Sequence, residues 1–395
     1  MKKLNICRTR KMEKIVTTNL KLGIIAGGQL GKMLIQEASK WDLITYVLDN
    51  DENCPAASIA SYYFKGSNLD FSSVYEFGKM VDILTFEIEN VNIEALKKLK
   101  SEGLKIVPDP ELLELIQDKG LQKEFYKTNG FPTSRFKIYE SKESILNGIE
   151  NGEIKLPFVQ KLRKGGYDGH GIAIINSISD LSKILSGASV VEEKVEIEKE
   201  ISVIVARNKN GEIKCYPVVE MLFDHHANLV DKLICPSSIN VEQSQKAVNF
   251  ASKMIELLKM EGLLAVEFFI DSHGEVIVNE VAPRPHNSGH HTIESIITSQ
   301  FEQHLRAILN LPLGSTKIKL PSVMINILGA VGYEGPVIYD GLTESLAIDG
   351  VKIHLYGKKI TKPYRKMGHV TVMSSTIACA LINAEKVKQL ISVKS

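Results

Sequence analysis

No apolar run in the chain approaches the about 18 residues needed to cross a bilayer as a helix. Charge of one sign is missing too. Lys and Arg number 48 against 47 Asp and Glu, a net charge of +1. There is no basic field for nucleic acid and no acidic field for a cationic partner. Cysteines are few, Cys7, Cys54, Cys215, Cys235 and Cys379, and none stands in a Cys-x-x-Cys or other zinc spacing. That pattern points to reduced thiols in a cytoplasm rather than a disulfide scaffold. The Gly-x4-Gly-Lys-Ser/Thr phosphate loop is absent, which excludes that route to ATP. Residues 1–19 are basic but lack the apolar core of a secretory signal, and read as a floppy extension in which Met12 is a second candidate start. The remaining length suits two or three domains.

What is present centres on residues 263–291. Apolar runs at 263–270 and 276–281 flank Ser272-His273-Gly274-Glu275, which reads as a β-hairpin. A turn centred between His273 and Gly274 sets Glu267 directly opposite Glu280, with Cβ atoms about 4.5–5.5 Å apart. Two facing carboxylates repel, and burying them is costly. Unless the pair faces solvent, a hard divalent cation with oxygen ligands belongs between them, typically Mg²⁺ shared with substrate phosphates. Arg284, His286, Asn287, His290 and His291 follow among Pro283, Pro285 and Gly289. A loop so rich in donors beside two acids suits a small anion next to a metal.

At the other end, residues 20–26 form a strand that runs into Gly27-Gly28-Gln29-Leu30-Gly31, then a helix, then a strand at 44–48 ending at Asp49. This is the opening of a doubly wound parallel sheet. The glycines are out of register with a dinucleotide fingerprint, although Asp49 lies where a ribose-binding acid would sit. The loop either meets a phosphate or substrate edge or only makes a tight turn. A strand at 83–86 ends in Glu87-Ile88-Glu89-Asn90, acids at the ligand-binding edge of such a sheet or simply solvated. Asp109 and Pro110 start a helix, and a first boundary falls near 116. A helix over 118–129 carries Lys119, Lys123 and Lys127 on one face. A strand at 157–161 carries Lys161 and leads into Gly165-Gly166-Tyr167-Asp168-Gly169-His170-Gly171, a glycine-rich flap flanked by cations, or a hairpin with no ligand. Strands at 190–195 and 201–206 bracket a polar kink and Glu200. The helix over 243–259 is amphipathic and reads as core.

Together these residues resemble the ATP-grasp superfamily, and within it the 5-(carboxyamino)imidazole ribonucleotide synthetases. Four blocks carry the resemblance: the Gly27–Gly31 loop, the Gly166–Gly171 flap, the stretch from Asn279 to His290, and His354-Leu355-Tyr356-Gly357-Lys358 with Arg365-Lys366-Met367-Gly368-His369. The resemblance implies an α/β chain. A Rossmann-like domain would span 20–116, an ATP-grasp domain 117–315, and a small β-rich lobe 316–395 with strands at 323–328, 350–356 and 369–373. It implies ATP and Mg²⁺ (or Mn²⁺) as cofactors, with aminoimidazole ribonucleotide and bicarbonate as substrates. It implies a cytoplasmic homodimer with no nucleic-acid or membrane partner.

By the same resemblance, Lys123 and Lys161 hold ATP phosphates under the flap Gly166–Ile172. Glu192, Glu193, Lys194 and Val195 form the adenine hinge, and Glu200 binds the ribose. Glu267 and Glu280 hold the metal with Asn279 alongside. Arg284, His286 and Asn287 seat bicarbonate, and Asp168 relays a proton. Lys358, Arg365 and Lys366 bind the ribonucleotide near Gly28, Gln29, Leu30 and Glu89. One departure stands out: a histidine usual in similar proteins is here Phe223, and His225 or His226 is expected to take its place. The competing readings are another ATP-grasp ligase, such as a formate-dependent glycinamide ribonucleotide transformylase, a nicotinamide-dependent oxidoreductase, and a non-catalytic nucleotide-binding regulator.

Overall fold

The computed structural model describes residues 18–166, 171–224 and 229–395, so nearly all of the expected extension lies outside the described residues, as do Tyr167, Asp168, Gly169, His170, His225 and His226. Strands β1 (Lys21–Ile25), β2 (Ile44–Asp49), β3 (Tyr62–Lys65), β4 (Ile83–Phe86) and β5 (Lys105–Ile106) form a parallel sheet in the order β3-β2-β1-β4-β5. The strand order reverses between β1 and β4. The glycine loop after β1 and the acids after β4 therefore emerge side by side, at the kind of crevice where open α/β sheets take ligands.

Strands β6 (Phe136–Tyr139), β7 (Phe158–Leu162), β8 (Ile172–Ile175) and β9 (Ser189–Glu193) make a small antiparallel sheet in the order β6-β9-β7-β8. The expected flap falls between β7 and β8, past Lys161, whose strand partner is Ile172; its residues 167–170 lie outside the described residues.

A larger antiparallel sheet joins β10 (Ile197–Arg207), β11 (Ile213–Cys215), β12 (Val219–Asp224), β13 (Leu229–Cys235), β14 (Gly262–Asp271), β15 (Val276–Ala282), β16 (Ser322–Leu328), β17 (Val351–Leu355) and β18 (Lys366–Met373). Its path is β15-β14-β10-β12-β13-β16-β18-β17, with β11 on β10. The expected C-terminal lobe is thus β-rich, but its strands continue the central sheet through the β13–β16 pairing. The helix Ile377–Leu390 covers that end through Ala380, Ala384 and Val387.

The β14–β15 hairpin shows how sequence pattern becomes shape. Leu264, Val266, Phe268 and Ile270 pack with Val276 and Val278 against Ala247, Ala251, Met254 and Ile255 of the helix Val241–Leu257. Asn240 caps that helix in a reciprocal box with Gln243. Near the turn the pairs are Ile270–Val276, Phe269–Ile277 and Phe268–Val278; beyond it they are Glu267–Glu280 and Val266–Val281. One extra residue, Asn279, forms a bulge between these two registers. Strict alternation would send Glu280 to the same face as Val276 and Val278, into the core. The bulge reverses the parity and turns Glu280 to the face of Glu267. The expected pairing is present, though the turn is centred one half-step from the expected place.

Among the described residues no helix is long and apolar enough to cross a membrane. Where the helix Gln300–Ile308 meets the first sheet, His304 is fully buried with Nε2 2.9 Å from the Thr85 hydroxyl, and burial pushes its imidazole down to about 3. The unfolded chain takes up this proton near pH 6.5 and the folded chain does not. Stability is therefore lost as pH falls below that value. Relative to His304→Gln, the wild type should lose about 2 kcal/mol between pH 7 and pH 5 in paired denaturant titrations; a pH-independent difference contradicts the burial account.

Candidate functional site

Glu267 and Glu280 face each other across β14 and β15, and Glu200 on β10 shares their field. Burial, then the charges of Glu280 and Glu200, push the Glu267 carboxyl up to about 8. Glu280 goes the other way, held down chiefly by the Lys119 ammonium with which it is ion-paired. Burial also pushes Glu200 up to about 7. One acid of the pair thus tends to keep its proton while the other leans on a lysine.

The lysines form a second layer. Lys161 Nζ donates to Asn279 Oδ1 at 2.8 Å, so the bulge residue receives it directly, and lies 3.1 Å from Glu192 Oε1. Lys123 was expected to hold a phosphate. Its ammonium is buried and its three donor positions go to Thr133 Oγ1 at 2.7 Å, Ser134 Oγ at 2.9 Å and Glu192 Oε2 at 2.8 Å. Burial lowers it to about 8 despite Glu192. Burial pushes Glu192 up, but Lys161 and Lys123 outweigh it and hold the carboxyl at about 2. The lysine that reaches the acidic pair is Lys119, one turn earlier on the same face of the helix Lys119–Thr128. The signal was in the four-residue spacing, but spacing alone does not say which lysine of a stripe is sealed in.

Past β9, the hinge residues Glu193, Lys194 and Val195 line an open groove together with Asp271, Ser272 and His273 of the hairpin turn. Glu192 itself points inward to the lysines. Phe223 sits at a register shift between β12 and β13, packed against the core.

The loop after β15 is braced from behind. Gln300 accepts from the His286 amide at 2.8 Å and donates to the His286 carbonyl at 2.7 Å. A Cβ on Gly289 would lie 2.4 Å from the same Gln300 oxygen, so only glycine lets the loop come this close. His286 Nε2 lies 3.4 Å from Glu267 Oε1, and Arg284 Nε lies 2.9 Å from Glu89 Oε1. Asn287 opens the short turn Asn287–Gly289 that follows His286. The donor loop therefore touches both the acidic pair and the end of the first sheet.

At that end the glycine loop differs from expectation. The Gly27 amide donates to Asp49 Oδ2 at 2.7 Å, and the amides of Gly28 and Gly31 donate to the two oxygens of Glu87 at 2.5 Å each. Glu87 is buried, and burial pushes it up to about 7 against those amides and Arg284. Asp49 and Glu87 are the loop's own acceptors. Of Gly28, Gln29 and Leu30, the Gly28 amide is committed to Glu87. The amides of Gln29 and Leu30 belong to the first helical turn, which has no intrahelical acceptor for them.

The C-terminal segment lies against this helix. Lys32 Nζ donates to the carbonyls of Leu355 and Tyr356 at 3.2 and 3.1 Å, and Tyr356 is buried in the cluster holding Leu30 and Met33. Lys358 Nζ donates to the Lys366 carbonyl at 2.7 Å, and Arg365 Nη1 to the Ile360 carbonyl at 2.6 Å. Residues more than 300 positions apart thus meet around one cleft.

Among the described residues no group of three or more His, Cys, Asp or Glu is placed to hold a metal alone. Two carboxylates with an amide oxygen beside them do fit a hard ion that takes its other ligands from a substrate.

Three family profiles match the chain. A ribonucleotide synthetase preATP-grasp domain covers residues 19–117, an ATP-grasp domain 124–301, and a phosphoribosylaminoimidazole carboxylase C-terminal domain 322–381. The chain is 37% identical over 367 residues to a chloroplastic phosphoribosylaminoimidazole carboxylase from Vigna aconitifolia, covering 90% of this chain but only 64% of that protein. It is 34% identical over 368 residues to an N5-carboxyaminoimidazole ribonucleotide synthase from Bacillus subtilis, covering 91% of this chain and 93% of that one. The crystal structure of N5-carboxyaminoimidazole ribonucleotide synthetase from Thermotoga maritima superimposes with a TM-score of 0.87 at 45% identity, covering 95% of this chain and 99% of that one.

The two acids make opposite predictions for the protein without nucleotide. Glu267→Gln removes a like charge and should stabilise, by up to about 1 kcal/mol. Glu280→Gln strands Lys119 and should destabilise by roughly 1–2 kcal/mol, less than for a fully buried pair because Glu280 keeps 39% exposure. Thermal unfolding at pH 8 measures both, and shifts of the same sign contradict the assignment.

Proposed function

The chain belongs to the N5-carboxyaminoimidazole ribonucleotide synthases, ATP-grasp ligases of purine biosynthesis, and from this we propose how its residues divide the work of carboxylating aminoimidazole ribonucleotide with ATP and bicarbonate. The observation that carries this reading is the Glu267–Glu280 pair, with Lys119 on Glu280, Lys161 on the neighbouring Asn279 and His286 beside Glu267.

Bicarbonate is a poor electrophile because hydroxide is a poor leaving group. Taking the γ-phosphoryl group of ATP gives carboxyphosphate and ADP. The exocyclic amine of the ribonucleotide then attacks the carboxyl carbon, or CO₂ released from it. Phosphate leaves and the amine loses a proton. Lys119 and Lys161 bind and orient the phosphates; Lys123 acts behind them by holding Glu192, which in turn holds Lys161. Magnesium bound by Glu267 and Glu280 would supply charge neutralisation at the transferring oxygens. Arg284, His286 and Asn287 hold the bicarbonate, with Gln300 keeping their loop rigid. Lys358, Arg365 and Lys366 seat the ribonucleotide against the first turn of the helix Gln29–Ser39. The flap, with Asp168 as the proton carrier, excludes water from the hydrolysis-prone intermediate. Glu193, Lys194 and Val195 are the adenine hinge and Glu200 the ribose ligand. The family also implies a cytoplasmic homodimer.

Coupled ADP release should require both aminoimidazole ribonucleotide and bicarbonate. Formate with glycinamide ribonucleotide should give none, and the reverse result would identify the formate-dependent ligase. Glu280→Ala should lower the rate by about 10²–10³-fold with its circular dichroism unchanged. Arg365→Ala should raise the apparent KM for the ribonucleotide about ten- to a hundredfold, and an unchanged KM removes Arg365 from the site.

A further inference from the structure

Between the bicarbonate loop and the C-terminal strands stands a column of rings that the chemistry above does not use. His354 and His369 are direct partners across β17 and β18, and their imidazoles stack at 4.5 Å with 6° between planes. His290, which leaves the Asn287–Gly289 turn, packs against His369 at 4.7 Å with the rings tilted by 32°. Phe301 closes the column 6.1 Å below His290. His290 and His369 are 1% and 0% exposed.

Each ring has a tether. The Tyr356 hydroxyl lies 3.1 Å from His369 Nδ1, and His354 Nε2 lies 2.7 Å from Glu294 Oε1. The Gln300 amide lies 3.4 Å from His290 Nδ1 while holding both backbone groups of His286. Among the described residues, Nε2 of both His290 and His369 is buried with no hydrogen-bond partner. Buried polar atoms without partners are costly, and aliphatic or phenyl side chains would fill this space without that cost. Packing alone therefore does not explain the two imidazoles.

Their effect is felt at Tyr356. Its ring is buried on the glycine-loop helix, its carbonyl accepts from Lys32, and its hydroxyl is met by His369. Gly357 then turns the chain at φ +84° toward Lys358, whose Nζ lies 5.6 Å from the centre of the Tyr356 ring. Fixing Tyr356 fixes the start of the lysine's tether. The other end of the column fixes His290, four residues past His286.

We propose that His369 is a positioning residue: acting through Tyr356 on one side and His290 on the other, it holds Lys358 at a set distance from the Arg284–Asn287 loop, so that the ribonucleotide's amine meets the activated carboxyl group. This rests on the ligase reading above. A strut of this kind governs the meeting of two bound species. It does not govern the binding of ATP, whose proposed ligands, Lys119, Lys161 and Glu193–Val195, are not part of the column.

The test is steady-state kinetics of the full chain and its His369→Phe and Tyr356→Phe variants, following both ADP released and ribonucleotide consumed. His369→Phe keeps a ring in the column and removes the partner of the Tyr356 hydroxyl; Tyr356→Phe removes a single oxygen. In each, the KM for the ribonucleotide should rise about tenfold and ADP released per ribonucleotide consumed should climb from about one to about two or more, since a misplaced partner leaves the intermediate to water. The KM for ATP should change less than about twofold. A ratio that stays at one, or KM values for ATP and ribonucleotide that rise together with a falling Tm, overturns the proposal and leaves His369 a packing residue. If His369→Phe does not fold, Tyr356→Phe decides by the same two numbers. A wild type with no ribonucleotide-dependent ADP release removes the ligase reading, and this inference with it.

Discussion

Two carboxylates of like charge, Glu267 and Glu280, are held opposite one another on a buried hairpin, and much of the surrounding structure answers that repulsion. Lys119 pairs with one acid; the other is pushed toward its protonated form. Lys161 comes in through Asn279, and Glu192 anchors Lys161 from behind while Lys123 anchors Glu192. Each layer compensates the charge of the layer before it. A chain of this kind has no stable place to stop except at a ligand carrying its own counter-charge. A metal–nucleotide complex, with cation and phosphates together, can meet the acids and the lysines at once.

The facing acids depend on a backbone irregularity. Val276, Val278 and Glu280 share parity in sequence, and a regular strand cannot bury two of them and present the third. The bulge at Asn279 resolves the conflict and delivers an amide oxygen to Lys161 in the same step. That conflict is visible in the sequence, because an acid at the end of an alternating apolar set is a signal for a parity change. Symmetry about the actual turn would set Glu267 against Asn279; the expected pairing with Glu280 is met because the bulge, not part of the sequence-based expectation, offsets the half-step in the turn's centre. The glycine loop, the strand carrying Lys161 and the amphipathic helix after Asn240 were legible from local pattern.

What local pattern did not reveal was decided by contacts distant in sequence. Lys119 and Lys123 lie on one helix face and are chemically alike; only Glu192, brought in from β9, makes Lys123 a sealed support and leaves Lys119 to meet the acids. Glu87 and Glu89 are two residues apart at one strand end. One is buried on two loop amides and the other meets Arg284, because both lie past the end of β4, where the strand rule that sets residues two apart on one face no longer applies. The C-terminal strands read as a lobe of their own because no sequence signal says that β16 will pair with β13. Where a strand adds to a sheet is settled by which edge is left open.

That edge-to-edge addition bears on how the ribonucleotide is held. The amino end of a helix attracts anions, and in a glycine-loop sheet it is the usual seat for a phosphate. Here Glu87 already occupies the amides of Gly28 and Gly31, so two of the donors an anion would use are taken within the protein. A phosphate approaching Gln29 and Leu30 would meet a carboxyl group behind them and would need cations from another part of the chain. On the ligase reading those are Lys358, Arg365 and Lys366, which have no local route to the first sheet. They reach it because β17 and β18 extend the central sheet and because Lys32 ties the carbonyls of Leu355 and Tyr356 to the glycine-loop helix. A freely hinged C-terminal lobe would leave the helix end with its own acid and no compensating charge. The continuous sheet is thus the condition under which an internally capped helix can still serve an anionic substrate.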